Sequence, residues 1–390
     1  MPDARIRILS ALSEIPAAQW DACAAGAANR PEPFVSHAFL SALEETGCVS
    51  AKTGWLPQHL VLDGPDGLPR AVAPTYLKGH SRGEYVFDQG WADAYHRAGG
   101  HYYPKLQVAV PFTPVTGRRL LLRDPADAAG RPALAAGLKE LTRLREASSA
   151  HTTFATEEEW ECLATQGFLK RTDRQFHWTN AGYASYEDFL GALASRKRKA
   201  LRKERREALA PGITIEWLTG GTLTEEAWDA FHTFYMDTGA RKWGTPYLNR
   251  AFFTRAAERL ADRMLLVMAR RNGRYIAGAL NFIGAETLYG RYWGAIEEHP
   301  FLHFEICYHQ AIDFAIVHGL KVVEAGAQGE HKLARGYLPT TTYSAHYIVH
   351  PGLRAAVAQY LEHERAHVAE DDAVLTDLGP FRRSEGIEQD

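Results

Sequence analysis

Between Glu324 and Pro339 the chain reads EAGAQGEHKLARGYLP, which gathers Gln328, Glu330, His331, Lys332 and Arg335 among Gly326, Gly329 and Gly336. Glycine lets a backbone approach a ligand closely, and these side chains can donate, accept and carry a proton. On a loop beyond a strand end they suit acyl transfer, in which an amine attacks a carbonyl, loses a proton and leaves charge on the carbonyl oxygen. In that chemistry Glu330 or His331 takes the proton. Lys332, with Arg335 beside it, stabilises the oxyanion or the phosphate-bearing end of a donor, and Gln328 contacts substrate. The plainer reading is a tight solvent loop carrying ordinary surface charge.

Three further segments hold charge in useful places. Ser195–Arg206 contains eight basic residues and one acid in a chain whose formal charge is −3, so positive charge is concentrated there. Helical spacing places Arg198, Arg202 and Arg205 or Arg206 on one face. Such a stripe can hold phosphates or an RNA backbone, or it is a solvated amphipathic helix. Tyr102–Arg119 combines Pro104, Pro111 and Pro114 with Lys105, Arg118 and Arg119. It reads either as a cleft wall facing an anionic substrate or as a crossing braced by proline. In Arg291-Tyr-Trp-Gly294, strand alternation aims Arg291 and Trp293 into a cleft or into a core.

Other chemistries lack their residues. His303 and Cys307, like Glu305 and His309, share a helix face by i,i+4 spacing, but no HExxH occurs and no metal site is expected. No GxSxG elbow supports a serine hydrolase, and no GxGxxG or GxxxxGK[ST] follows a strand.

The elements that must position these groups follow from periodicity. A strand near Arg5–Leu9 and a helix at His37–Glu45 open the chain. The runs His59–Leu62, Ala71–Leu77 and Glu84–Phe87, separated by Gly64-Pro65-Asp66-Gly67 and a second glycine turn, form an antiparallel meander. Met264–Ala269, the turn Asn272-Gly273, Tyr275–Ile283 and Thr287–Trp293 repeat that order, which reads as an internal duplication. Helices are predicted at Tyr186–Ala208, Glu225–Met236, Phe252–Leu260 and Phe304–His318, with a short strand at Val322–Ala325. The fold class is therefore mixed α/β or α+β.

With 390 residues, two domains are expected. The composition, 46% hydrophobic and 23% charged, excludes disorder, and 44 basic against 47 acidic residues exclude polyanion binding by overall charge. Four cysteines without a CxxC pair suggest neither a disulfide framework nor a thiolate zinc site and fit a reducing cytoplasm. No signal peptide and no transmembrane segment is read, so a cytoplasmic location is expected.

Five segments then become informative together: YYPKLQVAVPFTPVTGRRLL, SRKRKALRKERR, GRYWG, LHFEICYHQAIDFAI and EAGAQGEHKLARGYLP. In this order they resemble the FemAB-like predicted N-acyltransferases, relatives of the Fem aminoacyl-transferases within the GNAT superfamily, from about Ile6 to Arg365. The resemblance implies tandem GNAT-like domains, 1–180 and 181–370, followed by a tail, 371–390. It implies transfer of an acyl or aminoacyl group to an amine, with aminoacyl-tRNA the favoured donor and a peptidoglycan precursor a candidate acceptor. The donor is a cosubstrate, and no permanently bound cofactor and no stable membrane insertion are implied. The alternatives are an acyl-CoA-dependent enzyme acting on a small amine, and a non-catalytic binder of tRNA or cell-wall precursor. The acyl-CoA loop of GNAT enzymes has no clean counterpart here, because Arg118 and Arg119 follow Gly117 where a second glycine would clasp a pyrophosphate. The Fem pattern has a Phe-Lys pair after the last strand of its second domain. Lys332 is its nearest match, with His331 in place of the phenylalanine.

Overall fold

A computed structural model describes residues 5–28, 30–210, 212–242, 246–326 and 329–382, with the side chains of Lys242 and Glu330 also outside the description. The chain forms two compact units. The first comprises Met1–Asp173, Tyr247–Leu260 and Thr341–Ala369; the second comprises Arg174–Pro246, Ala261–Thr340 and Glu370–Asp390. This departs from a single cut near residue 180. Packing decides it: Phe252 meets Phe39 edge-to-face at 5.7 Å and Arg259 pairs with Glu45 at 2.8 Å, which ties the helix Arg250–Leu260 to the helix His37–Glu45.

The first unit contains an antiparallel sheet in the order Ile6–Leu9, His59–Asp63, Pro69–Ala73, Leu121–Leu122. It also contains the neighbouring strands Trp55–Pro57, Thr75–Lys78, Lys105–Val108 and Ser149–Ala155, and the end of Leu338–Ile348 pairs with the last of these. Lys105–Val108 runs parallel to Ser149–Ala155, which requires a crossover. The helix Gly130–Leu144 supplies it and buries Leu134, Leu138 and Leu141 against Leu60, Leu106 and Val108. The helix His37–Glu45 starts where expected because Ser36 caps it, its hydroxyl accepting from the Phe39 N–H at 3.2 Å.

Two features of the predicted meander change. The run Ala71–Leu77 is two strands belonging to different sheets, separated at Pro74, which has no N–H for a ladder. Glu84–Phe87 is not a strand. Tyr85 has φ +60°, a left-handed conformation incompatible with extension, and the third strand is Lys105–Val108 instead.

The second unit has its strands in the order Thr214–Thr219, Met264–Arg271, Arg274–Ile283, Thr287–Ala295, Val322–Glu324, followed by the end of Leu169–Thr179. The first four are antiparallel, and the Asn272-Gly273 turn has φ +50° and +77°, the mirror-image geometry a two-residue hairpin favours. Thr287–Ala295 and Val322–Glu324 are parallel, joined by helix from Leu302 to Val317. Strand, helix, parallel strand thus occurs in each unit. Trp178, Phe189, Leu265, Val267, Ile306 and Val323 are central to the core of this unit.

The single helix predicted over Tyr186–Ala208 is two, Tyr186–Ala192 and Ser195–Leu209. Leu193 is extended and bridges Phe381, and the Ala194 N–H donates to the Pro380 carbonyl at 2.9 Å, so the backbone bonds leave the helix at that point.

Candidate active site

The parallel pairing of Thr287–Ala295 with Val322–Glu324 ends at Tyr289↔Glu324, while the first of these strands continues to Ala295. Beyond that point the two chains part, and the gap lies outside the carboxyl end of a parallel strand pair, where open α/β sheets place ligands. A cavity of about 130 Å³ occupies it, lined among others by Arg291, Trp293, His303, Cys307, Tyr308 and Ala325. Gly290 also lines it; a Cβ there would lie 3.2 Å from Asn281 Oδ1, so glycine keeps this wall open. Gly294 answers a different need, since a Cβ would fall 2.2 Å from the Phe234 backbone where a helix crosses the strand.

The other wall comes from a helix with an insertion. Residues Glu305–His309 form a π-helical turn between α-helical segments. The wider turn stacks positions five apart, so His303 and Tyr308 meet at 5.5 Å between ring centroids. Trp293 packs on His303 at 5.1 Å from the facing strand. The two expected i,i+4 pairs take different roles. His303 and Cys307 face the cavity, whereas Glu305 pairs with Arg205 at 2.8 Å and His309 with Glu204 at 2.7 Å. No group of three His, Cys, Asp or Glu able to hold a metal is present among the described residues.

After Glu324 the chain enters the predicted chemical segment, of which Glu330–Arg335 is a 3₁₀ helix. Gln328 lies outside the described residues, as does the side chain of Glu330. Gly329 has φ +115° and a Cβ there would strike the His331 ring at 2.4 Å, so only glycine lets this turn form. His331 Nε2 meets the Tyr308 hydroxyl at 2.9 Å, joining the segment to the cavity wall. Lys332 is 2% exposed, and its ammonium donates to the Gly326 carbonyl at 2.9 Å. Burial, reinforced by the positive charge of Arg291, pushes its amine down to about 7. It is therefore divided between charged and neutral forms at neutral pH. Arg335 is buried and gripped by Glu204, with Nε–Oε1 at 2.8 Å and Nη2–Oε2 at 2.6 Å.

Arg291 reaches the cavity, but its guanidinium is committed to Glu324 in a buried ion pair. That pair holds the two strand ends at the mouth of the gap. Glu324 also lies 3.7 Å from His177, whose imidazole is pushed below its ordinary value by burial.

The structure brings Arg291, Trp293, His331, Lys332 and Arg335 into one unit, and it gives other predicted residues different work. Lys105 is fully buried in the first unit, donating to Ser81 Oγ at 2.8 Å, Glu84 at 2.6 Å and Asp88 at 2.5 Å. This corrects its reading as a substrate contact, since its charge is consumed by two buried carboxylates. Arg118 is corrected likewise: its guanidinium donates to the carbonyls of Ala24 and Ala25, the last residues of the helix Ala17–Ala25. Cations favour that helix end because its carbonyls lack intrahelical partners.

The basic helix Ser195–Leu209 also has two kinds of cation. Arg196, Lys197, Lys199, Arg202, Lys203 and Arg206 are exposed and Arg198 is half-buried. Arg202 pairs with the exposed Glu187. Arg205 turns inward to Glu305 and Asp313 and lies over the Tyr186 ring at 4.3 Å, so it does not join an outer stripe. The inner face is Leu201, Glu204 and Ala208.

Tyr308 and Cys307 are cavity residues that sequence reading did not assign to the site. A π-turn carries no periodic signature, so the run HFEICYH gives no sign of which of its residues turn inward.

No helix among the described residues is long and apolar enough to cross a membrane. No curated protein matches the chain in sequence. Among solved structures, FemX is similar with a TM-score of 0.55 and 14% identity, covering 88% of this chain and 98% of that one. L-PGS from Bacillus licheniformis is similar with a TM-score of 0.50 and 9% identity, covering 88% and 96% of the two chains. A conserved protein of unknown function from Bacteroides thetaiotaomicron VPI-5482 has a TM-score of 0.53 and 12% identity over 89% of this chain and 100% of its own. The fold is thus the mixed α/β class that the sequence resemblance implied, shared with FemX over most of both chains. The model of the FemAB-like family, described as peptidoglycan biosynthesis/recognition, matches residues 11–383, and the chain belongs to that family.

Proposed function

We propose that this protein is an amide-forming N-acyltransferase that moves an aminoacyl group from aminoacyl-tRNA to an amine of a peptidoglycan precursor. The observation that carries the reading is the cavity beyond the splayed parallel strands, bounded by the π-turn and adjoined by the segment that holds Lys332. Amide formation requires a neutral amine nucleophile and a group to receive its proton. A lysine held near neutrality can receive and release that proton, and the Tyr308–His331 hydrogen bond offers a path from the cavity to the same segment. In its charged form Lys332 would also stabilise the carbonyl oxygen as it becomes an oxyanion.

Family membership supports the cell-wall acceptor, and the exposed cations of Ser195–Leu209 support a polyphosphate donor. Purified protein incubated with a peptidoglycan precursor and radiolabelled aminoacyl-tRNA should yield a labelled amide, and Lys332→Ala should abolish it while leaving the far-UV spectrum unchanged. Transfer from acyl-CoA but not from aminoacyl-tRNA would replace the donor. Full activity of the variant would remove Lys332 from the mechanism.

A further inference from the structure

The single acid within the basic run, Glu204, is directed away from solvent and is 8% exposed. Its two oxygens take the Arg335 guanidinium in parallel, the bidentate geometry that fixes both distance and orientation. One of these oxygens also accepts from His309 Nε2 at 2.7 Å, and the other nitrogen of that ring is hydrogen-bonded to the Tyr186 hydroxyl at 2.7 Å. Burial works to raise the Glu204 carboxyl, yet the bonds from His309 and Arg335 outweigh it and hold it below its ordinary value. Arg335 in turn donates through Nη1 to the His331 carbonyl at 2.6 Å and packs over the Phe304 ring at 3.5 Å. Gly329 at φ +115° and Gly336 at φ +88° flank the 3₁₀ helix, so its two ends are backbone positions with ample conformational freedom.

We infer that Glu204 is a positioning residue: through Arg335 and the His331 carbonyl it locks the glycine-flanked turn that carries Lys332 and that the His331–Tyr308 hydrogen bond joins to the cavity wall. This rests on the reading of Lys332 as the group that handles the transferred proton. The basic helix then serves the site with both faces, offering cations outward and one carboxylate clamp inward. Without the clamp the turn loosens, water reaches the Lys332 amine, and the amine rises toward the value of a solvated lysine. The other groups that act on the Lys332 amine, Arg291 and Cys307, lie on other elements and stay in place.

The test uses the full-length protein and acetic anhydride. The pH midpoint for acetylation of Lys332 is read by peptide mass spectrometry in wild type, Glu204→Gln, Arg335→Lys and Asp313→Asn. Asp313→Asn weakens a neighbouring ion pair of the same helix that does not reach the turn. Glu204→Gln and Arg335→Lys should each raise the midpoint by at least one pH unit, and Asp313→Asn should leave it within 0.3. Turnover with aminoacyl-tRNA should fall at least tenfold in Glu204→Gln with KM for the donor within twofold, and Glu204→Asp should restore part of it. An unchanged Lys332 midpoint in a folded Glu204→Gln or Arg335→Lys variant overturns the clamp, as does an equal rise in Asp313→Asn. If Glu204→Gln does not fold, Arg335→Lys decides the matter by the same measurement. If wild type transfers nothing while the midpoints shift as expected, the clamp stands and the transferase reading falls.

Discussion

Replacing Lys332 with methionine should abolish transfer and, against the usual trend for buried sites, stabilise the protein below neutral pH. The amine is buried with one carbonyl partner at 2.9 Å, and its value falls from an ordinary 10.5 to about 7. At about 1.4 kcal/mol per pH unit, that fall places an upper bound of about 5 kcal/mol on the cost of keeping the ammonium inside. Local relaxation and water entry reduce this, and about 2 kcal/mol is the expected gain, since methionine fills the same channel without a charge to desolvate. The dependence on pH has a definite sign. Between about 7 and 10.5 the unfolded chain holds a proton on Lys332 that the folded chain has released, so wild-type stability rises with pH across this window. Below about 7 both states are protonated and the full cost is present; above 10.5 it vanishes. Lys332→Met lacks this slope. Chemical denaturation at pH 6 and pH 9.5 should therefore show the variant ahead by about 2 kcal/mol at pH 6, a rise in Tm of about 4–8 °C, with most of the advantage gone at pH 9.5. A variant less stable than wild type at pH 6, or an advantage equal at both pH values, would refute the reasoning.

Two other substitutions test the reassigned residues. Lys105→Met should destabilise the protein by about 3–5 kcal/mol in a denaturant titration, because it removes the ammonium that Asp88 and Glu84 share and leaves Glu84 only Lys78 at 3.4 Å; wild-type stability would show that those carboxylates are neutral in the fold. Arg118→Ala should cost about 1–2 kcal/mol through the carbonyls of Ala24 and Ala25 and leave the transfer rate unchanged; lost transfer at unaltered stability would return Arg118 to the substrate.

The contrast between Lys332 and Lys105 explains why the sequence could nominate both and distinguish neither. Each is a lysine near glycine or proline in a segment with aromatic residues, and each is almost fully buried. What differs is the partner. Lys105 meets Glu84 and Asp88, which arrive from a loop with left-handed Tyr85, and burial's tendency to lower its amine is overcome by those carboxylates. Lys332 meets a carbonyl and the positive field of Arg291, and the opposing influence of Cys307 is too small to offset its burial. The sign of the shift depends on residues far away in sequence.

Several elements were legible because their causes are local. The Asn272-Gly273 hairpin follows from two residues that accept positive φ. The helix His37–Glu45 follows from a serine cap and apolar spacing, and the second meander from alternation and turn chemistry. The glycine-rich segment could be nominated as a candidate site because residue type alone restricts its chemistry and its backbone. The sequence by itself therefore determined the local periods, the tandem order of the elements and the candidate residues from Glu324 to Arg335. The tertiary structure alone decided the π-turn that brings Tyr308 to His331, the inward turn of Arg205, the burial of Lys105 and the grip of Glu204 on Arg335. Each of those depends on charges or rings separated by tens of residues or more meeting where water is excluded, and desolvation has no counterpart in a one-dimensional pattern.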